Sequence, residues 1–429
     1  MKYTYGKIWL INLPVMMSIL VEQLINITDA LFLGHVGQTE LGASALGGIW
    51  FLAIYMIGFG FSIGMQSIIA RDNGAGDRNA AANAFVQGAI TLAAMAAACI
   101  VISRLVSPPL LKAIVKSDAI YDAVTTYLDW RLWGIAFSFP FLALRAFLVG
   151  ITSTRPLTAA AMIALGVNVA GNTLLIFGLD MGIAGAAIAS SLAEMTALLF
   201  LLWRMHALPL DVRRAIHLRF DPSVMRTVAS VSRWSMVHSF IGIVPWFLFF
   251  LAIEHTGEQN LAVANILRSV STLFFVLVNS FATTAGSLAG NLLGKGYSRD
   301  ILPLCRRTTR LGYAIGIPLV TAALLLHRTV VGCYTADEEL IRLSQAPYAV
   351  MLANYLFALP SYVATNAVIG TGATRTAFRF QMTTIAFYLA YLWLLHRTEA
   401  SLSLFWTAEY LYVILLLIQS RLYLRRYGA

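Results

Sequence analysis

The run Ile8–Leu33, IWLINLPVMMSILVEQLINITDALFL, is 26 residues long, and its only ionisable side chains are two carboxylates, Glu22 and Asp29. A helix needs about 20 predominantly apolar residues to cross the hydrocarbon core of a bilayer, so this stretch reads as a membrane span. Lys2 and Lys7 precede its apolar body in the manner of a secretory signal. The run outlasts a signal core of about 7–15 residues and shows no small-residue cleavage site, which makes it an uncleaved first span. Eleven further apolar stretches lie beyond it, at about 46–70, 84–107, 128–152, 157–179, 181–203, 234–254, 261–289, 311–327, 347–370, 378–395 and 402–424. The fold class predicted is an all-α polytopic membrane protein with twelve transmembrane helices.

Composition leads to the same place. Of 429 residues 59% are hydrophobic and 12% charged, against about a quarter charged in soluble proteins. Twelve spans would use about 240 apolar residues, which leaves nothing for a separate soluble domain and excludes a soluble enzyme. A formal charge of +10 would suggest nucleic acid in a soluble chain, but in a polytopic one basic residues mark cytoplasmic loops. With the N-terminus inside, 21 of the 30 Lys and Arg fall in cytoplasmic segments and 7 outside. The expectation is therefore a multi-pass protein of the plasma or inner membrane with both termini cytoplasmic and no nucleic-acid partner. Cys99, Cys305 and Cys333 have no paired spacing, and no HExxH occurs, so neither a disulfide frame, a metal centre nor another cofactor is expected.

The longest polar segment lies at the midpoint and carries Arg213, Arg214, Arg219 and Arg226. It divides the chain into an N-terminal six-helix lobe (1–203), a cytoplasmic linker (204–233) and a C-terminal six-helix lobe (234–429). Sliding the sequence on itself by 220 positions aligns Gly37 with Gly257, Gly74 with Gly294, Gly76 with Gly296, Pro140 with Pro360, Gly150 with Gly370 and Arg155 with Arg375. Most are turn, kink and loop residues at corresponding loops, the signature of an internal repeat. Six spans is an even number, so the two bundles form a parallel repeat about an axis along the membrane normal.

Ionisable groups inside spans are costly, by about 2.5–3.5 kcal/mol on insertion scales, and are functional candidates for that reason. Glu22, Asn26 and Asp29 stand at i, i+4 and i+7, one stripe of the first helix. The fifth span shows Asn168 and Asn172 at i and i+4; the sixth returns through Gly185-Ala-Ala-Ile-Ala-Ser190, with Glu194 one turn further on. Small residues there let helices approach closely. These stripes predict a pocket around Asp29 with Asn168, Asn172 and Ser190 as partners. Glu22, Asn26, Glu194, Arg145 and Arg268 are accessory candidates, the two arginines as ion-pair or snorkelling groups. The alternative is that the uncharged polar groups only join helices through hydrogen bonds. The repeat mate of Asp29 is Phe249, and Glu409 reads as nearer an interface.

At this point the sequence resembles a known family. Asn26-Ile-Thr-Asp-Ala-Leu-Phe-Leu-Gly-His-Val-Gly37, Ala70-Arg-Asp-Asn-Gly-Ala-Gly-Asp77, Asn168-Val-Ala-Gly-Asn172, Gly182-Ile-Ala-Gly-Ala-Ala-Ile-Ala-Ser190 and Gly370-Thr-Gly-Ala-Thr-Arg375 are similar to recurring motifs of the multidrug and toxic compound extrusion (MATE) transporters. The resemblance implies that Asp29 is the first-helix carboxylate that binds the coupling cation, with Asn168 its fifth-helix partner. Asn172 stands where an aspartate is often found, and Ser190 where a threonine is usual. The second half lacks the seventh-helix acid of one branch, so the pattern is closer to the branch named after a DNA-damage-inducible member. The function implied is that of a cation-coupled antiporter, monomeric and in contact with membrane lipid, that exports organic, cationic and amphiphilic compounds by alternating access. One carboxylate among neutral groups favours H+ over Na+ as the coupling ion, with Na+ at Asp29 the other choice. The rival is a flippase for a lipid-linked saccharide, which needs a basic cavity.

Overall fold

The computed structural model describes residues 3–217, 220–254 and 256–428, so Arg219 of the expected linker lies outside them. Among the described residues there is no strand. Twelve long helices track the apolar runs: α1 Tyr5–Val36, α2 Gln38–Ala75, α3 Arg78–Ile114, α4 Asp118–Gly150, α5 Arg155–Gly178, α6 Gly182–Ala207, α7 Pro222–Glu254, α8 Glu258–Gly294, α9 Ser298–Leu325, α10 Glu338–Gly370, α11 Thr374–Arg397 and α12 Leu402–Arg426. Eleven of them are long and apolar enough to cross a membrane. The twelfth, α11, has 24 residues but carries Arg375, Arg379, His396 and Arg397.

Several helices overrun their apolar runs, because polar residues continue a helix until a cap stops it. Helix α2 reaches Ala75 and ends at Gly76, whose φ of +81° is the left-handed conformation that favours glycine. Asp77 then caps α3, its carboxylate accepting from the Ala80 N–H at 2.9 Å. The Gly-rich end of the Ala70–Asp77 motif is thus a helix stop followed by a helix cap.

The repeat appears in the backbone. Gly296 matches Gly76 with φ of +77°, and Gly372 (+85°) stands where the first half has Thr152 (+61°). Gly150 of α4 lies against Ile69 of α2, and Gly370 of α10 against Gly286 of α8, each without room for a Cβ. The same helix pairs pack in both halves of a two-bundle, twelve-helix fold.

The borders of the two compact units differ from the expected 203 and 234. One unit holds the chain up to Met16 together with Val237–Ala429; the other is Met17–Met236. The segment expected as a linker is packed: Asn83 Nδ2 donates to Asp221 Oδ2 at 3.1 Å, and the Asp221 N–H donates to Gln87 Oε1 at 3.2 Å. Ser232 backs onto Gly64, where a Cβ would collide. In the other unit, Thr284 Oγ1 donates to Asn12 Oδ1 at 3.1 Å and Arg307 Nη1 to the Tyr3 carbonyl at 2.9 Å. Hydropathy locates where a span ends but not what its polar end residues bond to.

Candidate functional site

Helices α5 and α6 meet closely because glycine allows it. At Gly185 an added Cβ would sit 3.0 Å from the Leu175 backbone, and at Gly171 3.0 Å from the Ala189 Cβ. This approach brings Asn168 and Asn172, one turn apart on α5, opposite Ser190 on α6; all three are buried. Immediately after Asn172 the helix widens into a π-turn, Thr173–Gly178, a feature common at functional sites.

Asp29 of α1 completes the cluster. Its Oδ1 accepts from Asn168 Nδ2 at 2.9 Å and Asn172 Nδ2 at 2.7 Å, and its Oδ2 accepts from Ser190 Oγ at 2.5 Å. The partners also bond one another: Asn168 Nδ2 to Ser190 Oγ at 3.1 Å and Asn172 Nδ2 to Asn168 Oδ1 at 3.3 Å. One buried acceptor, Asn172 Oδ1, has no hydrogen-bond partner. The site is thus a single carboxylate held by three neutral donors, with one free carbonyl oxygen beside it.

The accessory candidates divide. Glu194 points to Arg131: Arg131 Nη1 donates to Oε2 at 3.0 Å and Nη2 to Oε1 at 2.7 Å. Arg131 also lies 3.6 Å over the Phe51 ring, a stacking that suits a planar guanidinium. Gly134 leaves the space for the pair, since a Cβ there would meet both charged groups and Ser191. Glu22, exposed on α1, lies near Tyr55 and Arg145, while Arg145 itself lies 5.5 Å from the Phe59 ring centroid. Asn26, exposed on the same helix, is not among the hydrogen-bond partners of Asp29. Arg268 belongs to the other unit, 5.3 Å over Phe250. Of the nine candidates, then, Asp29, Asn168, Asn172 and Ser190 come together, Glu194 pairs with Arg131, Glu22 and Arg145 lie near each other, and Asn26 and Arg268 stand apart.

Arg131 is the residue that sequence reading missed. It lies in the first turns of the fourth apolar run, where an arginine is indistinguishable from an interfacial one. The available signal was the odd glycine at 134 opposite a membrane glutamate.

Comparison with known proteins now has a geometry to fit. The MatE family model matches residues 14–174 and again 235–394, two segments whose last residues are 220 positions apart. The chain is similar to the multidrug resistance protein MdtK of Edwardsiella ictaluri, at 23% identity over 392 residues, covering 88% of this chain and 84% of that protein. The solved structure of the Vibrio cholerae MATE transporter VcmN superposes with a TM-score of 0.90 at 16% identity, covering 98% of this chain and 96% of that one. A MOP superfamily transporter from Pyrococcus furiosus gives 0.89 at 18%, covering 98% and 95%. Matched twice by one family along most of its length and folded like solved members, this multi-pass membrane protein belongs to the MATE family.

Proposed function

We propose that this MATE protein is a proton-coupled antiporter of the inner membrane that exports organic, cationic and amphiphilic compounds by alternating access of its two bundles. It would act as a monomer with both termini cytoplasmic, in the manner of the branch named after a DNA-damage-inducible member. The observation that carries the coupling ion is the neutrality of the groups around Asp29: its partners are two amides and a hydroxyl, and Glu194 is held by Arg131 instead. A dehydrated sodium ion wants several oxygen ligands and net negative charge, and here a single carboxylate stands among neutral groups. A proton requires one oxygen. When Asp29 takes up a proton on Oδ1, a half-turn of the Asn172 amide presents its unpartnered Oδ1 to the new O–H. The amide gives up its donation to Asn168 Oδ1, and no net charge is carried through the closed state.

Proton and substrate each favour one arrangement of the bundles through differential affinity, which couples their movements. The name of the relative MdtK, a multidrug resistance protein, supports a small organic cargo. Saccharide-lipid flipping is the less favoured reading, since Arg268 lies 5.3 Å over the Phe250 ring and the similar protein MdtK is a multidrug resistance protein. The test is efflux from proteoliposomes at fixed membrane potential, first with a pH gradient and no sodium, then with a sodium gradient at equal pH. The pH gradient alone should drive export; export driven only by sodium overturns the reading.

A further inference from the structure

Arg306 and Arg310 stand about one turn apart near the start of α9, and Arg421 lies near the end of α12. Together they line one cavity of about 180 Å³ whose apolar wall includes Leu302, Pro360 and Ala364. No carboxylate lines it, and among the described residues none of the three arginines forms an ion pair. The three side chains are exposed at this space, and an anion seated between them would offset their mutual repulsion. The guanidinium fork matches phosphate oxygens in pairs. The volume is below the roughly 300–1,000 Å³ of pockets for drug-sized molecules, so the cavity suits a headgroup rather than a transported compound.

Its place selects the source of the phosphate. The cavity lies at the end of the bundle where the basic residues collect, the cytoplasmic end by their distribution. Anionic lipids populate that leaflet, and basic pockets between helices there bind their headgroups. A free phosphate ion would satisfy the arginines but leave Leu302, Pro360 and Ala364 facing nothing apolar. From this arrangement we infer that the cavity binds the phosphodiester of an anionic phospholipid, bridging Arg306 and Arg310 of α9 to Arg421 of α12. This reading is independent of the coupling ion and of the exported substrate.

Full-length protein in detergent, titrated with phosphatidylglycerol, phosphatidylcholine or inorganic phosphate, tests it by native mass spectrometry and thermal unfolding. Phosphatidylglycerol should remain bound and raise the unfolding temperature, and the other two should not. At about fivefold per arginine, the triple variant Arg306→Gln, Arg310→Gln, Arg421→Gln should weaken that binding about a hundredfold. Arg421→Gln alone, expected to cost about fivefold, serves where the triple variant does not fold. A charge-matched control, Lys112→Gln, Lys116→Gln, Arg328→Gln, removes exposed charges outside the cavity and should bind as the wild type does. Equal loss in both triple variants overturns the site. Phosphatidylcholine bound as well as phosphatidylglycerol also overturns it, and stabilisation by inorganic phosphate alone overturns the lipid assignment.

Discussion

Asp29 in the first half is answered 220 positions on by Phe249, and the surroundings differ as much as the side chains. Around half-buried Asp29 stand two amides and a hydroxyl. Around fully buried Phe249 stand Trp406, Phe250 and Trp246, with ring centroids 5.0, 5.6 and 6.2 Å away. The mate of Asn168 is Tyr388, which donates to Glu409 at 2.8 Å. The second half therefore keeps a carboxylate, but on its last helix, buried and given to a tyrosine. One repeat holds a carboxylate among hydrogen-bonding partners; the other has closed the same region with aromatic packing. The first arrangement suits a group that binds and releases, and the second one that holds helices together.

The largest effect expected falls on the packed side. Phe249→Ala should destabilise the protein by about 3–5 kcal/mol, because the rings around it cannot collapse into the cavity. Thermal unfolding in detergent measures it, and a loss below about 1 kcal/mol would mean the aromatic cluster is loosely packed. Next comes Arg131→Ala, which strands Glu194 in the first half and should cost about 3 kcal/mol. The double variant Arg131→Ala, Glu194→Ala should recover part of that loss; no recovery would show that Arg131 acts through Phe51 rather than through the ion pair.

The smallest effect is that of Glu409→Gln. Tyr388 keeps an acceptor in the new amide oxygen, so stability should change by no more than about 1 kcal/mol and gradient-driven efflux should be unaffected. Loss of coupled transport in this variant would move the coupling chemistry to the second half and invert the comparison.

The contrast was half legible in the sequence. Asn168, Asn172 and Ser190 could be read because polar residues one turn apart, beside small residues, are conspicuous in apolar helices. Phe249 could be read as the absent carboxylate, but not as the centre of a cluster, since Trp246 and Trp406 are distant in sequence. Arg131 looked interfacial, and Glu409, placed nearer an interface, is buried; both turn on a partner from another helix, which hydropathy does not report. The packing near the unit borders rests on such partners too, Asp221 with Asn83 and Asn12 with Thr284.

The claim that joins these observations is that the first half, through Asp29, couples the ion to export. Asp29→Asn keeps the shape and, with its oxygen on the Oδ1 side, the acceptor for Asn168 and Asn172, turns an amide toward Ser190 Oγ, and removes the group proposed to take up a proton. The direct measurement is pH-gradient-driven efflux in proteoliposomes carrying wild-type or Asp29→Asn protein at equal insertion, with substrate binding measured in parallel. The variant should bind substrate yet show no response to the gradient. Gradient-driven efflux at the wild-type rate would contradict this and leave Asp29 as a hydrogen-bonding joint between helices.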